Sequence, residues 1–397
     1  MATRLDIGRL EEGQVLHNVD LTQAEAVALN SSKLVSVQPS TSGWKVTAAY
    51  AVGAIHCGGL SVRVRPKIGS LQVLRLLARA YGVKKLEIDA SLIGVGADPE
   101  LTAVLAVLFA HEVATAMSAG VLRGYRTEDQ TLSVLRGRLR LRDHQLRRFG
   151  MLVPLEVTFD EWTTDTNENR RIRAACRCLM AMADVPKPAR DSLSRLDRLL
   201  VDAWLAPAGT VLAPWVPTRL NARLHRLLHL ADLVLDHAAV ENRVGDVQVH
   251  GFVLSMPWLF ERLVTQLLDE TGKPRRVGVR KRVLDLDVLR RLSIEPDLVF
   301  TGDAGDLAVA DTKYKLLDEN GRFPNADAYQ LVTYCARLGL KIGHLIYAAG
   351  DPHPEDYEII ESGTRLVIHS VNMDQPVVAI EEQVRVLFDN IAARWTS

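Results

Sequence analysis

Residues 294–315, IEPDLVFTGDAGDLAVADTKYK, hold the densest grouping of side chains able to do chemistry. Two strand-like runs, 297–300 and 307–314, flank a Gly- and Asp-rich turn of the composition a hairpin needs. A turn centred on Ala304 sets Asp297 opposite Asp311 and Val299 opposite Val309. Strand side chains alternate, so Asp311 and Lys313 share a face, with Asp297 as cross-strand neighbour on that face. Two like charges placed opposite each other destabilise a sheet and need an offset. A divalent cation supplies one. Mg²⁺ takes one or two carboxylates plus water and phosphate, which suits this pair as metal ligands, with Mn²⁺ as a substitute. Lys313 beside the ion would orient or deprotonate the attacking water, or neutralise charge on the phosphate. The chemistry expected is phosphodiester hydrolysis by a metal-activated water.

Two helices are expected to complete the site. In residues 257–268, Leu259, Phe260, Leu263, Val264 and Leu267 make an apolar face and leave Glu261 and Thr265 on a polar stripe, so Glu261 could add a metal ligand. In residues 325–338, Gln330 shares a stripe with Tyr334 and Arg337 while Leu331, Val332 and Cys335 face inward, and Gln330 could hold water or phosphate. Each also reads as an ordinary solvated helix residue. Strands at 344–348 and 365–370 follow, and the order of helix, hairpin, helix and strand suits an α/β layer with a mixed sheet.

Upstream, strand-like runs at 33–37, 45–48 and 60–64 make the first hundred residues β-rich, with helical periodicity at 71–81 and 101–122. Residues 127–141 return to strand-like alternation. Thr166 or Asn167 is expected to cap a helix running to about Ala183, and further helices are expected at 189–204 and 219–236 on either side of a Pro-rich linker, 207–217.

The run Pro296-Asp297, Asp311-Thr312-Lys313-Tyr314-Lys315 and Tyr329-Gln330 resembles the PD-(D/E)xK nuclease core, in the form found in the McrC family of 5-methylcytosine restriction subunits. YAVGAIHCGGLSVRVRPKIG (50–69), LRGRLRL (135–141) and FDEWTTDTNENRRIRAAC (159–176) resemble that family's amino-terminal half, so the likeness covers about residues 45–350. The resemblance implies a C-terminal restriction-endonuclease-like mixed sheet flanked by helices, with its core at about 251–397. It also implies a helical segment from residue 161, and an N-terminal partner-docking domain over 1–160. The function it implies is that of a Mg²⁺-dependent endodeoxyribonuclease acting on modified double-stranded DNA, seated on a hexameric McrB-like AAA+ GTPase. Asp297, Asp311, Lys313, Glu261 and Gln330 carry over as catalytic residues, and Asp297, Asp311 and Glu261 as metal ligands. The Arg-rich stretch 123–148 carries over as a docking surface. Two rival readings are an adaptor that caps and activates the motor with dispensable nuclease activity, and a stand-alone repair nuclease.

Composition agrees with a soluble globular protein. The 397 residues, with 48 Lys+Arg against 48 Asp+Glu and 48% hydrophobic, exclude disorder and collagen-like repeats. Zero formal net charge argues against a protein that coats nucleic acid everywhere, yet charge is segregated. Residues 123–148 hold eight Arg against three acids, and 273–291 hold eight basic residues against Asp285 and Asp287. Four scattered cysteines without a C-x-x-C pair, and an N-terminus of mixed charge, point to a reduced, cytoplasmic setting with no signal peptide. The apolar stretch 101–122 carries His111 and Glu112 at its centre, so it reads as a buried helix, not a membrane span. His111-Glu112 lacks the second His of a zinc protease helix. His225, His229, Asp232 and Asp236 share a helical face that could hold zinc or manganese, but a solvated face is the favoured reading. No phosphate-binding G-x-x-x-x-G-K-[ST] loop is present, so nucleotide hydrolysis is assigned to the partner.

Overall fold

A computed structural model describes residues 10–57, 59–83, 100–207, 210–239, 249–314, 324–348 and 355–395. Of these, residues up to Leu101 and from Val253 onward form one compact unit, and residues between them form a second. Packing therefore parts the chain at Leu101 and Phe252, whereas the sequence suggested a boundary at residue 160.

The first unit opens with β1 (Leu10–Glu11), β2 (Val15–Val19), α1 (Gln23–Ser31), β3 (Val35–Ser40), β4 (Gly43–Ala48), β5 (Ala51–Cys57), β6 (Leu60–Arg65) and α2 (Ser70–Ala80). A capping box starts α1: Thr22 Oγ1 accepts from the Glu25 amide and Glu25 Oε2 accepts from the Thr22 amide. β2, β4 and β3 form an antiparallel sheet, while β6 pairs with β5 antiparallel and with β1 parallel. In β6 buried residues alternate with half-buried ones, the period-2 pattern that made it legible. β5 is buried at every position but His56, so it carries no alternation.

In the second unit, α3 (Leu101–Met117) is followed by β7 (Gly124–Leu132), β8 (Arg138–Leu139), α4 (Leu141–Arg148) and β9 (Leu155–Thr163). β7 and β8 both pair antiparallel with β9. α5 (Asn167–Ala181) is capped by Thr166, whose Oγ1 accepts from the Asn169 amide, and packs against α6 (Lys187–Leu199) and α7 (His225–His237). β10 (Ala238–Ala239) sets Ala238 against Phe252 midway along β11 (Val249–Ser255), the strand in which the chain passes from the second unit back to the first. Glu112 pairs with Arg226 at 2.7 Å, which accounts for a charge within apolar α3. Among the described residues no helix is long and apolar enough to cross a membrane.

The remainder of the first unit comprises α8 (Met256–Gly272), β12 (Gly278–Arg280), β13 (Leu284–Asp285), β14 (Ser293–Ile294), β15 (Leu298–Gly302), β16 (Gly305–Lys313), α9 (Asn325–Leu338), β17 (Ile342–Tyr347), β18 (Glu355–Glu358), β19 (Arg365–Ser370) and α10 (Val377–Ala392). A six-stranded mixed sheet has the order β12-β15-β16-β17-β19-β18, as the sequence suggested for this third. β16, β17 and β19 are parallel neighbours, and the flanking pairings are antiparallel. On one face Val309, Leu345, Tyr347, Leu366 and Ile368 pack with Leu331, Tyr334 and Cys335 of α9. Gly343 allows this approach, because a Cβ there would lie 2.7 Å from Cys335 Sγ and from Leu331 Cγ. Elsewhere Phe300 meets Phe388 of α10 at a ring separation of 6.1 Å, and α8 packs on β12, β16 and α10.

The two sequence ends of this unit are tied together. Arg79 of α2, nearly buried, reaches Glu270 Oε2 at 2.6 Å and Glu381 Oε1 at 2.5 Å, and Gln72 Nε2 donates to the carbonyl of Gln375. These contacts are why the first hundred residues belong with the C-terminal third and not with residues 102–160.

Candidate active site

The hairpin has the expected register over its first half. Leu298 faces Ala310, Val299 faces Val309 and Phe300 faces Ala308; a bulge follows, after which Gly302 faces Gly305. Gly305 turns the chain with φ of +122°. Asp297 precedes β15 by one residue, so it stands where the ladder, continued by one pair, would meet Asp311.

Asp311 lies on the buried part of β16 and is 2% exposed. The Lys313 ammonium sits against its Oδ2 as an ion pair, two residues along the same strand face. That oxygen is buried without a well-directed hydrogen bond. Burial, with the charge of Asp297 added, pushes the Asp311 carboxyl up to about 6, and Lys313 offsets this only in part. Lys313 Nζ also donates to Gln330 Oε1 at 2.9 Å, and Gln330 Nε2 reaches the Tyr334 hydroxyl at 2.6 Å. Asp297 Oδ2 accepts from the amide and hydroxyl of Thr312, at 3.0 and 2.8 Å. Its Oδ1 is left facing Lys281 at 3.8 Å.

Glu261 projects from α8, whose start is fixed by Ser255 Oγ accepting from the Trp258 amide and by Pro257 in the first turn. Leu259, Phe260, Leu263, Val264 and Leu267 bury the apolar face as the periodicity suggested. The Glu261 carboxylate is engaged by Lys281, Oε1 to Nζ 3.1 Å, and Lys281 also lies 3.9 Å from Glu295 Oε1. Burial and the neighbouring charge of Asp297 hold the Glu261 carboxyl above its usual range despite Lys281. Lys281 and Glu295 escaped sequence reasoning. Lys281 was counted only as part of a basic run, although Glu295 directly precedes the Pro-Asp pair.

The five residues singled out from sequence thus fall into two linked groups: Asp311, Lys313 and Gln330 in direct contact, and Asp297 with Glu261 joined through Lys281. Among the described residues no three His, Cys, Asp or Glu side chains converge as a ready ligand set. Two hard carboxylates, one with a buried oxygen lacking a well-formed hydrogen bond, fit a divalent cation that takes its remaining ligands from water and substrate. Lys315 of the sequence motif lies outside the described residues.

Most arginines of the basic stretch 123–148 are paired with acids within it or shortly after it. Arg126 pairs with Glu128, Arg140 with Asp129 and Arg148 with Glu156, while Phe149 and Leu152 nearby are 90% and 84% exposed. On α7, Asp232 accepts from Arg171 and from Trp215 Nε1, and His225 Nε2 lies 2.7 Å from Asn221 Oδ1, so that face serves packing.

Residues 46–348 match the model of a family described as McrBC 5-methylcytosine restriction system component. The chain belongs to this family. A chain of the tetradecameric assembly of Thermococcus gammatolerans McrB AAA+ hexamers with bound McrC is similar over 96% of this chain and 99% of that one, at 20% identity and a TM-score of 0.59. That likeness shows a shared fold over most of both chains. A chain of the Thermococcus gammatolerans McrBC complex is similar over 66% of this chain and 87% of its own, at 22% identity and a TM-score of 0.44. No curated protein matches the sequence.

Proposed function

We propose that this restriction-system component is a Mg²⁺-dependent DNA endonuclease of the PD-(D/E)xK type, cutting modified double-stranded DNA while bound to a hexameric AAA+ GTPase. The observation that carries the reading is the contact of Asp311 with Lys313 at one end of β16, with Asp297 and Gln330 beside them. Asp297 and Asp311 would hold the cation, with Glu261 joining them when Lys281 lets go. When bound, the ion supplies a water of lowered pKa and a Lewis acid for the phosphate. The chain's own residues do the rest. Thr312 fixes the rotamer of Asp297 through two hydrogen bonds, and Gln330 steadies Lys313, whose ammonium would neutralise charge on the phosphate under attack.

The partner is assigned by likeness to the assembly of McrB hexamers with bound McrC, and the second unit offers a surface for it. Exposed Phe149 and Leu152, beside arginines already paired with acids, make that surface apolar at its tip. The test is cleavage of methylated plasmid DNA by the reconstituted complex. Asp311→Ala and Lys313→Ala should each lower cutting by at least about a hundredfold while leaving DNA binding and partner GTPase stimulation intact. Undiminished cutting by either variant refutes the assignment and favours an adaptor role.

A further inference from the structure

Resting on the nuclease reading, we infer that Lys281 is a built-in counter-cation that holds Glu261 and Asp297 in place before metal loading and competes with the divalent ion for them. It is a positioning residue for the metal, not a group that touches the reacting atoms. The ammonium lies 3.1 Å from Glu261 Oε1, 3.8 Å from Asp297 Oδ1 and 3.9 Å from Glu295 Oε1. Asp297 has committed its other oxygen to Thr312, so Oδ1 is the atom it can offer to either cation. Lys281 therefore stands on the line along which Glu261 and Asp297 would share one ion.

Charge balance points the same way. Glu261, Glu295, Asp297 and Asp311 face the two ammonium groups of Lys281 and Lys313, and Asp327 adds its charge near Asp311, which leaves a negative excess that a divalent cation would offset. Without Lys281 the same carboxylates would repel one another with nothing between Glu261 and Asp297. Lys281 is well suited to leave. It follows the last residue of short β12, its side chain is 44% exposed, and a four-carbon stem lets its ammonium swing into solvent. Lys313, at 19% exposure and held by both Asp311 and Gln330, is the fixed cation of the pair.

The experiment is calorimetric titration of the full chain with Mn²⁺ in the absence of DNA and partner, comparing the wild type with Lys281→Met and Lys281→Gln, and with Asp311→Asn as reference. Removing a partly exposed competitor of this kind should tighten Mn²⁺ binding roughly three- to tenfold in both Lys281 variants. In EDTA both should melt below the wild type, and Mn²⁺ should restore them by more than it raises the wild type. A merely structural lysine would lower melting without that recovery. Wild-type binding that Asp311→Asn abolishes, with unchanged or weaker binding in both Lys281 variants, overturns the inference and leaves the nuclease reading standing. Absence of Mn²⁺ binding in every protein, even after DNA is added, overturns both together.

Discussion

Replacing the buried carboxylate of Asp311 by an amide should make the protein more stable at neutral pH while ending its activity. Burial and Asp297 raise the Asp311 carboxyl from an ordinary 3.8 to about 6, so ionisation in the folded chain is disfavoured by about 3 kcal/mol. The sign follows from proton binding. Between these two values the folded state holds more protons than the unfolded state, so this group contributes stability fully present below pH 3.8 and lost as pH rises through 6. Asparagine cannot ionise and keeps that contribution. Asp311→Asn should therefore match the wild type near pH 4 and exceed it at pH 8 by up to about 3 kcal/mol. That corresponds to roughly 4 °C in melting temperature for a chain of this size. The lost attraction to Lys313 is already contained in the figure, because Lys313 lowers the same carboxyl. Urea unfolding in EDTA at pH 4, 6 and 8 measures the difference. A variant less stable than the wild type at pH 8 would refute the account of Asp311 as a strained anion awaiting a cation.

Other consequences are open to measurement. Gly343→Ala puts a methyl group against Cys335 Sγ and Leu331 Cγ, both 2.7 Å away, and should cost about 1–3 kcal/mol in urea unfolding through displacement of α9. Arg79→Ala leaves Glu270 and Glu381 without their shared guanidinium and should cost about 2–3 kcal/mol by the same assay. Phe149→Asp, altering a side chain 90% exposed, should leave the fold unchanged by circular dichroism yet weaken co-elution with the AAA+ hexamer by at least about tenfold.

The β15–β16 hairpin was legible because its information is local. Gly302, Asp303, Ala304 and Gly305 mark the reversal, and alternation on both sides fixes which residues meet. The bulge after Phe300 was not legible, since nothing in its residue types marks an extra position on β16. α9 was read with its observed bounds, Asn325–Leu338, from a clear 3.6-residue period closed by Gly339 at φ +70°. α8 began and ended within a few residues of expectation for the same reason. Lys281 was missed because its place depends on β12, three residues long, pairing with β15 so that Arg280 meets Val299; so short a strand leaves no periodic trace. α4, too short and polar to show an apolar stripe, was read only as the end of the Arg-rich run 123–148. The partnership of α2 with α8 and α10 joins residues some two to three hundred positions apart, and no local pattern encodes such contacts.

The interleaving of the two units sets a timetable for synthesis. Strands β1, β5 and β6 and helix α2 leave the ribosome early, but the helices that cover α2 come only after the whole second unit has been translated. At ordinary elongation rates that interval is on the order of ten seconds. Throughout it, Val73, Leu74 and Leu77 of α2 lack the neighbours that bury them in the finished fold. Nascent chains stalled between residues 101 and 252 should therefore recruit chaperones, and a fragment started at residue 251 should be insoluble, whereas cuts or fusions are better placed within the second unit.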